Sequence, residues 1–306
     1  MVNDKILDRA RAGDLAALVE LDKNGLLVGA DEQLDAYVER LQSLRKNTEE
    51  MENTLRADGV YQAEDVTIER DKRIPQATFA EASDTTEALY RFSIDWVPGF
   101  FINPSFSFLF GGCAYYFHPD FFALFIIRES FRERERWLIY SRRELLAHEL
   151  CHVARIGLES EIFEETFAYQ TSQSGFRKVV GSVFRSQADS FLLLGSTFLL
   201  LGAQVLRTLY WSALWIEPFW ALLFCFLLYL AIRQRQLRSQ FRRARQNLEF
   251  ACGQNAPATL FRLTDEEIAQ LAGLSGRDAV SAWLDGRPED APRWRVIRER
   301  FLNSPE

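Results

Sequence analysis

The pattern of apolar and polar positions changes character several times along the chain. Over residues 1–57, apolar side chains recur at intervals of three and four, which predicts amphipathic helices. One stripe consists of Leu7, Leu15, Leu18, Val19 and Leu21, and a second of Leu34, Tyr37, Val38, Leu41 and Leu44. This helical N-terminal region is predicted to pack on the rest of the fold or to contact a partner.

Residues 58–175 are richer in aromatic residues and turn formers, which predicts a separate domain. Between positions 97 and 119 there is no Asp, Glu, Lys or Arg. Such a run would also suit a loop that touches a membrane. Pro98, Gly99, Pro104 and Gly111 interrupt it, however, and short strands joined by turns are the favoured interpretation. The apolar run 121–127 is predicted to be a buried strand.

Residues 188–232 contain two apolar runs that predict a transmembrane hairpin. The first, 190–206, has no charged residue, and the second, 214–232, has only Glu217 near its start. Each approaches the ~20 residues that cross ~30 Å of hydrocarbon. The alternative is a pair of helices in a soluble core, but tryptophans near one end favour the membrane. These are Trp211, Trp215 and Trp220.

Basic residues around these runs predict the orientation of the hairpin. Three precede the first run and six follow the second, whereas the loop between them holds only Arg207. The positive-inside rule then places both flanks, both termini and the domain before residue 175 in the cytoplasm. We therefore expect an integral protein of the inner or plasma membrane. Its basic flank is expected to contact anionic lipid head groups.

The remaining segment, 233–306, predicts a basic juxtamembrane helix followed by a small helical module. Thr264 to Glu267 has the sequence of a capping box. Residues 268–284 faintly resemble a helix-turn-helix, but residues 264–306 contain six Arg against nine Asp or Glu. That negative balance argues against a nucleic-acid partner and favours packing or protein binding.

Composition adds two constraints. The formal net charge is −7, so the chain as a whole does not suit a polyanion. The four cysteines show no CxxC spacing and no disulfide framework, which fits a reducing compartment. The first twenty residues are charged and amphipathic and lack the apolar core of a secretion signal.

The strongest chemical motif is His148-Glu149-Leu150-Cys151-His152. Histidines four apart on a helix are ~40° and ~6 Å apart, so both imidazoles can reach one ion. A glutamate directly after the first histidine can take a proton from water at the open metal position. The predicted helix begins with a capping box, Ser141 to Glu144, and stops at Gly157. Cys151 is predicted to be a small buried residue on another face.

A catalytic zinc site needs a third protein ligand. No histidine follows His152, which excludes the longer motif with three histidines, and His118 is assigned to a wall or loop. A second helical run, 160–172, supplies glutamates instead. Helix-face reasoning favours Glu165, with Glu164 as the alternative and Glu161 as a supporting residue. Tyr169, one turn after Glu165, either packs or assists an oxyanion.

This pattern resembles the gluzincin-type zinc metallopeptidases, in particular the minimal gluzincins and the HtpX-like membrane peptidases. The stretch Glu165-Thr-Phe-Ala168-Tyr169 is similar to the E-x-x-A-D pattern that carries their third ligand. Tyr169 replaces the acidic residue, and in those peptidases membrane spans also precede the motif. The resemblance therefore concerns the site, over residues 120–172. It implies one zinc per chain held by His148, His152 and Glu165, with Glu149 as the base.

The resemblance also implies a fold. We expect an α+β, zincin-like domain in which a small mixed sheet accompanies an active-site helix and a third-ligand helix. By analogy, strand 121–127 is expected to be the edge strand that binds substrate.

The predicted function is a membrane-anchored zinc endopeptidase that faces the cytoplasm, with a protein or peptide substrate and the lipid bilayer as partners. The alternative is a non-catalytic membrane scaffold or cytoplasmic regulatory protein with a structural or vestigial metal site. The sequence indicates no particular substrate, regulation or oligomeric state.

Overall fold

The computed structural model describes residues 3–63, 66–103, 111–117, 122–138 and 140–303. Helices dominate the fold, and the strands are short. The helices before the apolar runs are α1 (Asp4–Arg11), α2 (Leu15–Lys23), α3 (Leu34–Asp58), α4 (Gln76–Tyr90), α5 (Arg142–Arg155), α6 (Glu164–Gln170) and α7 (Gly175–Val180). The later helices are α8 (Gln187–Leu209), α9 (Glu217–Cys252), α10 (Ala256–Phe261), α11 (Asp265–Gly273), α12 (Arg277–Asp285) and α13 (Pro292–Ile297).

The strands in the described part of the chain form three small sheets. They are β1 (Val60–Ala63), β2 (Val66–Glu69), β3 (Gly99–Ile102), β4 (Gly112–Phe117), β5 (Phe122–Arg128), β6 (Arg136–Trp137) and β7 (Tyr140–Ser141). β1 pairs with β2 and β6 with β7, both antiparallel. The third sheet is mixed, because β5 pairs with β3 in parallel and with β4 antiparallel.

The order β3-β5-β4 corrects one expectation from the sequence. The buried run 121–127 was predicted to be an edge strand, but β5 lies in the centre with neighbours on both sides. Within the described part of the chain, β3 and β4 are the edge strands of this sheet.

Both faces of this sheet are covered. Phe101, Phe125 and Ile127 share the largest apolar core with residues of α4 and α5. On the opposite face, Phe100, Leu124 and Ile126 pack with Met51 and Leu55 of α3. The predicted N-terminal region therefore covers one side of the sheet, and α5, which carries the histidine motif, covers the other with α4.

The two ends of the chain meet beside the central domain. Asp22 of α2 is buried and pairs with Arg262, which follows α10, at 2.9 Å. Arg300 also pairs with Asp22, and Arg295 of α13 donates to the backbone oxygen of Gly13. Val296 joins the apolar core of the N-terminal helices. The predicted regions 1–57 and 233–306 are thus packed against each other.

Among the described residues, two helices are long and apolar enough to cross a membrane, α8 and the first part of α9. Only 17% and 11% of their most apolar windows are buried inside the protein. Large apolar side chains along both helices are exposed, including Phe191, Phe198, Leu209, Phe224 and Leu228. A pair of core helices would be covered by the fold, so this exposure favours association with a membrane.

α9 continues well beyond its apolar part. At 1.5 Å per residue, its 36 residues span about 54 Å. The second half packs on the C-terminal helices, where Asn247 donates to the backbone oxygens of Leu271 and Leu274. The capping box predicted at Thr264 is confirmed, with both of its hydrogen bonds to and from Glu267 present. α9 therefore joins the hairpin directly to the C-terminal module.

Candidate metal centre

The two motif histidines lie on the face of α5 that is turned away from the apolar core. Leu146, Ala147, Leu150 and Cys151 fill the buried face, so the histidine face borders the surface of the domain. The Nε2 atoms of His148 and His152 are 3.1 Å apart. Atoms bound to one tetrahedral ion with bonds of ~2.0–2.1 Å lie about 3.3 Å apart, so this spacing suits two ligands of one ion.

Glu165 completes a group of three possible ligands. Its Oε2 lies 3.6 Å from Nε2 of His148, and its Oε1 lies 3.6 Å from Nε2 of His152. One ligand atom from each residue falls within 4.8 Å of the others. Two imidazoles and one carboxylate are a donor set that zinc accepts, with a fourth position for water. The residues present therefore fit the ion that the sequence resemblance implies.

Glu164 occupies a different position from Glu165. Nδ1 of His152, the ring nitrogen away from the ligand cluster, donates to Glu164 Oε1 at 3.1 Å. The other oxygen of Glu164 accepts from Nε of Arg155 at 2.7 Å. A carboxylate behind a histidine fixes its tautomer and leaves Nε2 available for a metal. The geometry thus separates the two candidate ligands that the sequence left open, and it favours Glu165.

Arg155 connects this pair to the C-terminal module. Its guanidinium is completely buried, stacks on the ring of Phe167, and donates to the backbone oxygens of Phe261 and Leu263. A buried guanidinium needs several acceptors. Here they are the carboxylate of Glu164 on α6 and the two backbone oxygens at and after the end of α10. Arg155 was not predicted as a supporting residue, because its backbone acceptors, Phe261 and Leu263, lie more than a hundred residues away in the sequence.

A second link holds the loop before α6. The carboxylate of Asp265 accepts hydrogen bonds from Ser160 Oγ at 2.6 Å and from the backbone nitrogens of Glu161, Ile162 and Phe163 at 2.8, 2.7 and 3.2 Å. Four donors converge on one side chain of α11. We call these four hydrogen bonds the clamp. α6 has only seven residues, too few for a helix to be stable by itself. We therefore attribute the position of Glu164 and Glu165 largely to the clamp and to Arg155.

The short α6 corrects the expectation for Glu161. The run 160–172 was predicted to be one helix with Glu161 on the face of Glu165. The helix begins only at Glu164, and Glu161 is exposed in the preceding loop. Glu161 therefore does not share a helix face with Glu165.

The predicted ends of α5 were also partly wrong. Ser141 is the N-cap residue, but its side chain donates to Glu135 rather than capping the helix. Glu144 instead binds Ser172, Gln173 and Arg177. The left-handed residue after the helix is Glu159, with φ of 49°, and Gly157 lies inside a 3₁₀ turn. His118 lies outside the described residues.

Glu149 reaches from α5 to the edge strand β4. Its Oε2 accepts a hydrogen bond from the backbone nitrogen of Ala114 in β4 at 2.9 Å. The backbone nitrogen of Arg128 donates to the oxygen of Gly111, so alternate residues of β4 direct their backbone groups away from β5. Ala114 is one of these. Burial raises the pKa of Glu149, against the opposing effects of His152 and of this hydrogen bond.

The pKa values of the two histidines are shifted in opposite directions. Burial, His152 and Arg177 hold the pKa of His148 well below its usual value. Burial also acts to lower the pKa of His152, but the hydrogen bond to Glu164 and the carboxylates of Glu149 and Glu165 raise it to about 9. The surroundings of His152 thus favour positive charge, which is the charge that a divalent cation supplies. Burial raises the pKa of Glu165 as well.

A cavity of about 220 Å³ adjoins the ligand cluster. Its lining includes His148, Glu149, Tyr140, Tyr169 and Arg177. The ring of Tyr169 lies edge-on to His148 with centroids 4.6 Å apart, and burial raises its pKa. Cys151 is fully buried, and burial raises the pKa of its thiol, as expected for a packing residue. The cavity therefore gives access to both Glu149 and His148.

No protein-family model matches this sequence, no curated protein matches it, and no solved structure matches its fold.

Proposed function

We propose that the protein is a membrane-anchored zinc endopeptidase whose active site lies between α5, α6 and β4. The observation that carries the proposal is the joint geometry of two sets of groups. His148, His152 and Glu165 converge on one point, and Glu149 stands beside them at the cavity. A structural metal site has no need of a carboxylate base next to an open cavity, whereas hydrolysis does.

The division of labour follows from the positions of the side chains. Zinc bound by His148, His152 and Glu165 would supply a Lewis acid that polarises the peptide carbonyl and lowers the pKa of water. Glu149 accepts a proton from the attacking water and delivers it to the leaving amine. Its raised pKa makes it a stronger base than an exposed carboxylate. The backbone nitrogen of Ala114 holds one of its oxygens in place.

Substrate binding is assigned to β4 rather than to β5. β4 has its second side unpaired within the described residues, and it runs beside Glu149. An extended peptide that added to this edge would pair main chain with main chain, a mode that tolerates varied sequences. Tyr169 and Arg177, on the cavity wall, are positioned to contact the substrate carbonyl region.

The membrane anchor is assigned to α8 and the apolar part of α9. Their exposed apolar surface would be unfavourable in water, and each is long enough to cross the hydrocarbon. Basic residues at both flanks support the proposal, by the positive-inside rule, that these flanks, the catalytic domain and both termini are cytoplasmic. The loop with Arg207 then lies on the opposite side.

The proposal is tested with purified protein in lipid and an unfolded protein such as casein as substrate. Wild type is compared with Glu149→Gln, and Glu159→Gln serves as the matched control, because Glu159 is exposed on the loop after α5. We expect zinc-dependent cleavage that falls about 10²- to 10⁴-fold in Glu149→Gln, with unchanged zinc content, and no change in the control. Cleavage that survives in Glu149→Gln would overturn the assignment of the base.

A further inference from the structure

Between α6 and the hairpin, a short segment carries exposed apolar side chains. α7 and the 3₁₀ turn at Gly181–Val183 make up most of it. Phe176 is 73% exposed, and Val180 and Phe184, four and eight residues later, are 41% and 40% exposed. Leu138, at the tip of the β6–β7 hairpin, is 57% exposed and lines the same 610 Å³ cavity as Phe176. We call Leu138, Phe176, Val180 and Phe184 the apolar rim.

Hydrogen bonds fix the position of this segment along the axis of the α8–α9 hairpin. Arg233, which follows the apolar part of α9, pairs with Asp189 in the first turn of α8 at 2.6 Å. The same guanidinium donates to the backbone oxygen of Val183 at 2.8 Å. Gln234 donates to the backbone oxygen of Val179 and to Ser182 Oγ, both at 2.8 Å. The segment therefore lies at the level where both apolar helices begin or end.

The composition at this level matches a membrane interface. Apolar side chains alternate with Lys178 and Arg185, so the segment offers both acyl-chain contacts and attraction to anionic head groups. Isolated exposed apolar residues are common on soluble surfaces, but here they recur every four residues beside a membrane hairpin. The segment is hydrogen-bonded to α9 where its apolar part ends, which points to the lipid around the hairpin as the partner of the rim.

The segment is also a wall of the catalytic cavity. The ring of Tyr169, which lies against His148, occupies the space that a Cβ at Gly181 would need. Tyr140, Glu144 and Arg177 line both the cavity at the ligand cluster and the larger cavity beside Phe176. The two cavities thus adjoin, and Leu138 and Phe176 of the rim border the larger one.

We infer that Leu138, Phe176, Val180 and Phe184 dock into the head-group region of the bilayer that the hairpin crosses, so that the catalytic cavity opens at the lipid surface. The inference rests on the membrane placement under the proposed function. It adds a second lipid contact, made by the catalytic domain itself.

The experiment measures lipid contact and does not depend on activity. Cys113 and Cys225, which are not buried, are replaced by alanine, while the buried Cys151 and Cys252 are kept. Single cysteines are then introduced by Phe176→Cys, Phe250→Cys and Phe198→Cys and labelled with an environment-sensitive fluorophore. The full chain is reconstituted in vesicles of phosphatidylcholine and phosphatidylglycerol with nitroxide-labelled lipids.

Phe250 is the matched control. It is an exposed phenylalanine, but at 1.5 Å per residue it lies about 25 Å along α9 beyond Arg233. Phe198, exposed in the middle of α8, reports insertion of the hairpin. We expect the label at 176 to lose most of its emission with a shallow quencher, the label at 198 with a deep quencher, and the label at 250 with neither.

Three results overturn the inference in distinguishable ways. If 198 is quenched while 176 behaves like 250, the hairpin is inserted but the rim does not touch lipid. A label at 176 whose emission shifts to the blue with protein concentration, without quenching by lipid, shows that a second copy covers the rim. If 198 is unquenched by either lipid, the membrane placement fails, and this inference fails with it.

Discussion

The two helices that supply the candidate ligands are held in place by different means. α5 has 14 residues, a full apolar face in the main core, and both histidines of the motif. α6 has seven residues, and the glutamates in its first turn depend on Arg155 and on Asp265 of the C-terminal module. One half of the site is built from local sequence, whereas the other half is built from contacts across the chain. Changes in the distant supports should therefore affect the metal site through Glu164 and Glu165.

The largest effect is expected from Arg155→Ala. The substitution leaves the carboxylate of Glu164 and the backbone oxygens of Phe261 and Leu263 without their buried partner. Loss of one partner from a buried ion pair costs about 3–5 kcal/mol of the free energy of unfolding. Thermal unfolding in detergent measures the loss, with the exposed Arg134→Ala as control. Equal stability of the two variants would mean that Arg155 does not support the site.

The next largest effect is expected from Asp265→Asn. An asparagine offers one acceptor oxygen instead of two, so at least two of the four hydrogen bonds to residues 160–163 are lost. Loss of a supporting contact typically weakens metal binding about 10- to 100-fold. Zinc affinity is measured by competition with a chelator, and Glu266→Gln, an exposed neighbour on α11, is the control.

If Asp265→Asn and Glu266→Gln bind zinc equally well, the clamp does not position α6. A loss of affinity in both would indicate a general effect of charge at the start of α11. Only a selective loss in Asp265→Asn supports the comparison between the two helices.

The pH dependence of zinc binding provides a third comparison. His152, with a pKa raised to about 9, carries a proton at neutral pH, whereas His148, with a lowered pKa, does not. Zinc must displace the proton of His152, so the apparent affinity should rise about tenfold per pH unit from neutrality and level off near pH 9. Titration calorimetry in buffers of different ionisation enthalpy counts the released protons. Glu164→Gln removes the charged acceptor and should flatten this dependence.

A dependence that is equally steep in wild type and in Glu164→Gln would contradict the role assigned to Glu164. In that case the carboxylates of Glu149 and Glu165 alone would account for the raised pKa of His152.

The smallest effect is expected from Ser160→Ala. It removes one of the four hydrogen bonds to Asp265 and leaves the three backbone donors. A single hydrogen bond contributes about 1 kcal/mol, so zinc affinity should fall by no more than about fivefold. The same chelator competition measures it. A loss as large as that of Asp265→Asn would show that the hydroxyl, and not the backbone donors, carries the clamp.

The sequence predicts those parts of the site that depend on spacing within one helix. The His148–His152 spacing and the apolar face of α5 are local patterns, and the capping box at Thr264 is local as well. The start of α6 was not predictable, because the glutamates favour a helix throughout 160–172. Hydrogen bonds to Asp265 instead hold the first part of this run in a loop. A partner a hundred residues away leaves no trace in local periodicity.

In the sheet, too, local patterns were predictable from the sequence and long-range contacts were not. A continuous apolar run correctly indicated that β5 is a buried strand, but such a run does not reveal which strand lies at the edge. That order depends on how β3 and β4 pair with it. The contact of Glu149 with the backbone nitrogen of Ala114 was unpredictable for a related reason, since every residue except proline carries that donor.

The most direct test of the central claim is the zinc content of the purified protein, measured by elemental mass spectrometry. Wild type is compared with Glu165→Ala and with Glu164→Ala. The account predicts about one zinc per chain in wild type, loss of zinc in Glu165→Ala, and retention with weaker binding in Glu164→Ala. Absence of zinc from wild type after reconstitution with the metal, or its retention in Glu165→Ala, would contradict the claim.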